Sequence, residues 1–140
     1  MGTMIRPELS IKNKYWIPKN RYFELKYFCK QYDYWKDILA YLDGYGRDYG
    51  KMLIFDKNRN LKKSPGENFG ILRARYSSKI DMIDRTVKNT DPIIGKYILQ
   101  GLLEDKSYTV MRAKIDIPCG RDYYYEAFRR FMWLLDTERD

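Results

Sequence analysis

Apolar side chains recur at spacings of three and four along much of the chain, the period of helices that bury one face. Over residues 20–31, Tyr22, Leu25 and Cys29 share a stripe that Tyr32 continues and Phe28 flanks, with Pro18 placed to open the first turn. Asp33 is placed to cap a second short helix over 34–42, with Trp35, Ile38, Leu39 and Leu42 on its apolar side. The two stretches also read as one kinked helix. Ahead of them, residues 1–17 have no sustained period and read as an extended arm bearing Lys12, Lys14, Tyr15 and Trp16.

Ser64-Pro65-Gly66-Glu67 predicts a helix start: a cap serine, a proline at the first helical position and a glutamate three residues past the cap. Beyond it Phe69, Leu72, Tyr76, Ile80, Ile83 and Val87 hold one stripe, and Gly66 and Gly70 place the firm start nearer Leu72. Asn89-Thr90-Asp91-Pro92 then stops that helix and opens another over 93–103, with Ile94, Tyr97, Ile98 and Leu102 inward. Ser107 caps a short helix over 108–115, Asp116 to Gly120 make a turn, and a last helix over 121–136 carries Tyr124, Phe128, Phe131 and Leu135 on one stripe. The expected fold is mainly α: a multi-helix bundle with a helix-turn-helix over about 107–136 and an irregular Gly/Tyr-rich connection in the middle. The corresponding division is an arm 1–17, a helical lobe 18–43, a linker 44–63 and a helical lobe 64–140.

Composition narrows the chemistry. The chain has 140 residues with no histidine, which removes Ser/His/Asp and Cys/His triads, HExxH zinc sites and the usual metal ligands together. Cys29 and Cys119 stand far apart, with neither a CxxC nor a ligand spacing, and read as buried small hydrophobes in a reducing compartment. No apolar run suits a signal peptide or a membrane span, so the expected location is the cytoplasm. The glycines of 44–51 follow GxGxxxG with no preceding strand, and Gly50-Lys51 is followed by Met52, so neither a dinucleotide fingerprint nor a P-loop is met. Asp81 and Asp84 with Arg85 are the only carboxylate pair that suggests acid–base work, and such pairs are routine surface charge. The chain is expected not to be an enzyme and to need no cofactor or metal.

Charge points to an anionic partner. Lys and Arg number 27 against 19 Asp and Glu, a formal charge of +8, and the excess lies in residues 1–63, with fourteen basic and seven acidic side chains. A short helix, a turn and a longer helix with an apolar inner face form the pattern in which the second helix enters the major groove of DNA. On that reading Arg121, Tyr125 and Arg129, spaced by four, form the DNA-facing side with Arg130 beside them, while Lys114 and Lys106 hold phosphates. The runs Lys12 to Arg21 and Lys57 to Lys63 are generic phosphate or solvent contacts.

The segments Tyr97-Ile98-Leu99-Gln100-Gly101-Leu102, Lys106-Ser107-Tyr108-Thr109, Ile117-Pro118-Cys119-Gly120-Arg121-Asp122-Tyr123-Tyr124-Tyr125 and Arg129-Arg130-Phe131-Met132-Trp133-Leu134-Leu135 resemble small prophage proteins of Firmicutes. Arg21-Tyr22-Phe23-Glu24-Leu25-Lys26-Tyr27-Phe28-Cys29, with Tyr32 and Trp35, resembles their N-terminal block. Their C-terminal ends are similar to region 4 of bacterial sigma factors and to phage late-transcription regulators of the ArpU/RinA type. The resemblance implies a phage-encoded, DNA-binding transcription regulator whose partners are double-stranded DNA and, beside it, RNA polymerase or another host protein, or a second copy of the chain. Two features depart from the sigma-like pattern: Pro118-Cys119-Gly120 replaces the usual serine or threonine cap, and the last helix is richer in aromatics. The alternative is a protein-interaction module that meets a host complex through its aromatic and arginine-rich surface.

Overall fold

A computed structural model of the chain describes residues 13–42 and 65–139, with side chains from Gly70 onward in the second span. Residues 1–12 of the arm, the connection 44–63 with its basic run, and Ser64 of the capping box lie outside the described residues. The described residues are mainly helical and include no strand: α1 (Lys19–Cys29), α2 (Tyr32–Leu42), α3 (Pro65–Thr90), α4 (Gly95–Glu104), α5 (Tyr108–Arg112) and α6 (Arg121–Glu138).

Local chemistry explains most boundaries. Lys30 and Gln31 separate α1 from α2, which are two helices rather than one kinked helix. Asp33 lies inside the first turn of α2 instead of capping it, where its carboxylate faces the positive end of the helix dipole. The proline of the expected capping box is the first residue of α3, as a residue without an N–H should be. Thr86 and Thr90 are buried in α3, and each hydroxyl donates at 2.8 Å to the carbonyl four residues back, Met82 and Thr86 respectively. The start of α4 falls at Gly95 rather than residue 93, because Asp91 Oδ1 accepts from the Ile93 and Ile94 amides at 2.8 and 2.9 Å and forms a separate turn first. Past α4, Asp105 takes the left-handed conformation (φ 54°), and the Lys106 amide donates back to the Gly101 carbonyl at 2.9 Å, closing the helix as a Schellman motif does.

The contacts divide the chain into two compact units, 1–30 with 82–140 and 31–81. The sequence places its divisions at 43 and 64; the contacts place them at 30 and within α3. In the second unit α2 and the first part of α3 bury Trp35, Ile38, Leu72, Tyr76 and Ile80. There Lys79 Nζ stands 5.3 Å from the Trp35 ring centre, and Arg73 donates to the Leu42 carbonyl at the open end of α2.

In the first unit α6 is the central element and packs against α1, α4 and α5. Tyr22, Leu25, Phe28 and Cys29 of α1 are buried, as are Ile98, Leu99 and Leu102 of α4 and Tyr124, Ala127, Phe128, Phe131, Met132 and Leu135 of α6. Tyr22 and Leu25 therefore belong to a different unit from Trp35, although the sequence groups all three in one lobe. Arg21 fixes α1 to the far end of α6 through Asp136 Oδ1 at 2.5 Å, and Arg139 stacks on Phe28 with its guanidinium 3.9 Å from the ring centre. Lys26, although buried, stands 2.9 Å from Asp105 Oδ1, off hydrogen-bond geometry, while Lys30 bonds Oδ2. Burial raises the Asp105 pKa, but the two lysines outweigh it and hold the carboxyl below its ordinary value. The arm is not extended throughout: the Tyr15 amide donates to Asn13 Oδ1 and the Trp16 amide to the Asn13 carbonyl, a turn after which Ile17 is buried.

Candidate nucleic-acid interface

The helix-turn-helix is built on a close approach. At Gly101 in α4 a Cβ would lie 2.6 Å from Tyr124 Oη and 2.8 Å from Met111 Sδ, so the absence of a side chain lets α4 rest on α5 and α6. Ser107 caps α5 by accepting from the Val110 amide at 3.2 Å. Helical hydrogen bonding runs past Arg112, since the Ile115 amide still reaches the Met111 carbonyl at 2.9 Å. That leaves Asp116 to Gly120 as the turn. Ile117 is its buried plug, and Tyr108 Oη donates to the Cys119 carbonyl at 2.6 Å. Gly120 is the extended N-cap of α6 and offers no side-chain cap.

The six residues expected to touch nucleic acid separate into two groups. Arg121, in the first turn of α6, is exposed, with its guanidinium 5.9 Å from the Tyr125 ring centre. Lys114 is exposed, and Lys106 is half-buried with Nζ 2.9 Å from Glu104 Oε1; both lysines help to lower the Glu104 pKa, Lys106 through its hydrogen bond as the largest cause. The other three are turned toward packing. The Tyr125 ring meets Tyr124 edge-on at 5.1 Å, and its hydroxyl accepts from the Tyr108 amide at 3.1 Å. Arg129 is half-buried, its Nε sealed from solvent with no hydrogen-bond partner among the described residues. Arg130 donates through Nε and NH2 to the Thr90 carbonyl at 3.2 and 2.8 Å, where the end of α3 presents its negative dipole.

This corrects the phase of the outward face. At about 100° per residue, Arg121, Tyr125 and Arg129 lie about 60–140° from Tyr124, on the flank of the buried stripe rather than opposite it. Arg121 is exposed because it precedes the first full turn. The outward positions beyond Arg121 are Asp122, Tyr123, Glu126, Trp133 and Thr137, none of which the arginine spacing singles out. Tyr123 Oη donates to Asp91 Oδ2 at 2.5 Å; this bond is the main cause that lowers the Asp91 pKa and raises that of Tyr123. Beside it opens a groove of about 380 Å³ lined by Ile93, Ile94, Pro118, Cys119 and Tyr123 over Asp91. Ile93 is 63 % exposed and Tyr123 46 %.

The local charge is balanced. Around the turn Arg112, Lys114 and Arg121 are exposed, and so are Asp116, Asp122 and Glu126. Carboxylates here repel phosphate but can accept from the cytosine amino group in the major groove, whereas arginine suits guanine.

Other chemistry is sparse among the described residues. Burial pushes the Cys29 thiol up to about 12, against a small opposing effect of Arg139, and burial also raises Cys119, so neither is a thiolate at neutral pH. Asp81 and Asp84 are exposed, and Arg85 is engaged with Glu138 at 2.8 and 3.2 Å. No group of three metal-ligating side chains occurs among the described residues, and no helix there is long and apolar enough to cross a membrane. No protein family, curated protein or solved structure was found to match the chain.

Proposed function

We propose that the chain is a DNA-binding transcription regulator that presents the N-terminal turns of α6 to the major groove. The observation that carries this reading is the closed unit of α4, α5 and α6: Gly101 and Ile117 lock the turn, and the first residues of α6, with Arg121 among them, stay outside the core. The re-phased face sharpens the reading. Arg121 is the guanine reader, Lys114 is a phosphate anchor, and Asp122 and Glu126 limit indiscriminate attraction to phosphates. Tyr125 and Arg130 hold α6 in place instead of touching DNA, and Arg129 is half-buried beside them. The resemblance to prophage proteins and ArpU/RinA-type regulators supports a phage-encoded role in transcription. The test is retention of a random duplex pool at increasing salt, followed by selection of the bound sequences; recovery of one motif with salt-sensitive affinity is the expected result.

A second reading has its own observation. The exposed Ile93 and Tyr123 at the groove beside Asp91 suit a protein partner, since aromatic and apolar anchors concentrate at interface centres. Salt-tolerant association with a host protein, without DNA retention, would favour it.

A further inference from the structure

We infer that Tyr108 is a positioning residue that sets how the first turn of α6 is presented, an inference that rests on the DNA-binding reading. Tyr108 opens α5 and is held between both sides of the turn. Its hydroxyl donates to the Cys119 carbonyl at 2.6 Å and accepts from Arg112 NH1 at 2.8 Å. Its backbone amide donates to Tyr125 Oη at 3.1 Å, in the second turn of α6. One residue thus grips the chain just before the N-cap and just after the first helical turn.

The grip matters because Ile117 anchors the start of the turn, while no other side chain among the described residues bonds its backbone where it enters α6. Gly120 has no capping side chain, and a Cβ placed there would meet nothing within 4 Å. The Cys119 carbonyl is the backbone group that a side chain fixes immediately before α6. A base-reading side chain must be held to roughly 0.5 Å and 10–20°, so small freedom at residues 119–121 degrades the aim of Arg121. The ring of Tyr108 is buried and lies 5.3 Å from that of Tyr124, and its packing does not depend on the hydroxyl. Removing the hydroxyl returns the Cys119 carbonyl and the exposed Arg112 to water and leaves the core filled.

The test uses the full chain and Tyr108→Phe, with amide hydrogen exchange in the free protein and affinities for a duplex selected by the parent and for a scrambled duplex. Exchange at the Cys119 and Tyr124 amides, which donate to the Ile117 and Gly120 carbonyls on either side of the freed carbonyl, is expected to accelerate several-fold. The ratio of selected to scrambled affinity is expected to fall by about tenfold, while the scrambled affinity and its salt dependence stay the same. Parent-like exchange and ratio overturn the inference, and so does an equal loss on both duplexes, the mark of general destabilisation. Should Tyr108→Phe not fold, Tyr125→Phe removes the acceptor of the Tyr108 amide and is expected to lower the ratio in the same direction; an unchanged ratio there overturns the inference. A parent that retains no duplex refutes the DNA-binding reading and the aiming role with it, and exchange at Cys119 and Tyr124 then decides separately whether Tyr108 orders the turn.

Discussion

Replacing Gly101 by alanine sets two effects of opposite sign against each other. Within a helix the change gains about 1 kcal/mol of intrinsic propensity. Against that, the new methyl would stand 2.6 Å from Tyr124 Oη, 2.8 Å from Met111 Sδ and 3.2 Å from the Lys106 carbonyl, where 3.4–4 Å is ordinary contact. Met111 can yield by rotation. Tyr124 cannot yield cheaply, since it is 1 % exposed and its ring touches those of Tyr108, Tyr125 and Phe128. Overpacking of this kind costs about 1–3 kcal/mol, so the expected net loss is about 1–2 kcal/mol, a drop of several degrees in the midpoint for a unit of this size. Thermal and urea unfolding of the parent and Gly101→Ala measure it. A control lies at Gly70 in α3, where a Cβ would meet nothing within 4 Å and alanine is expected to stabilise by about 1 kcal/mol. A Gly101→Ala midpoint at or above that of the parent refutes the close approach on which the helix-turn-helix is built.

Trp35→Ala empties a position that is 1 % exposed and is expected to cost about 3–5 kcal/mol by urea unfolding; a near-neutral effect would place the ring at the surface. Asp105→Gly relieves a left-handed residue by about 1 kcal/mol but strands the buried Lys26, so a net loss of about 1–2 kcal/mol is expected, larger than for Asp105→Asn. Stabilisation by the glycine would show that the ion pair contributes little. The Asp91 pKa lies below its ordinary 3.8 in the folded chain, so its contribution is full above that value and is lost as pH falls through the folded pKa. Asp91→Ala is therefore expected to lower the midpoint at pH 7 and to narrow its gap from the parent as pH falls below 3.8; a gap that stays constant with pH would refute this.

Several helices are legible in the sequence because their signals are local: the Ser107 cap, the proline at residue 65, and stripes such as Leu72, Tyr76, Ile80 and Ile83, whose four side chains are buried. The turn with Ile117 is equally legible. What stayed hidden is set by partners remote in sequence. Nothing near Arg21 announces Asp136, and nothing near Arg130 announces the Thr90 carbonyl, so the assignment of α1 to the same unit as α6 and the inward role of Arg130 emerge only in three dimensions. The Arg121, Tyr125 and Arg129 stripe was misplaced because equal spacing guarantees a shared face, not the outward one. The buried set Tyr124, Ala127, Phe128, Phe131 and Met132 is broad enough to draw in Tyr125 and Arg129 at its edge, whereas a stripe of only Tyr124, Phe128, Phe131 and Leu135 would have left them out. Tyr123 is legible only as an aromatic off the packed stripe; its bond to Asp91, 32 residues away in sequence, emerges only in three dimensions.

The central claim is that the N-terminal end of α6 reads DNA, and the most direct measurement is the affinity of the parent, Arg121→Ala and Lys114→Ala for the selected duplex and its single-base variants across a range of salt. The account predicts that Arg121→Ala loses about 1–3 kcal/mol and its preference at one base pair, while Lys114→Ala weakens all duplexes alike and flattens the salt slope by about one unit. An Arg121→Ala chain that stays folded and keeps both the affinity and the base preference of the parent would contradict it.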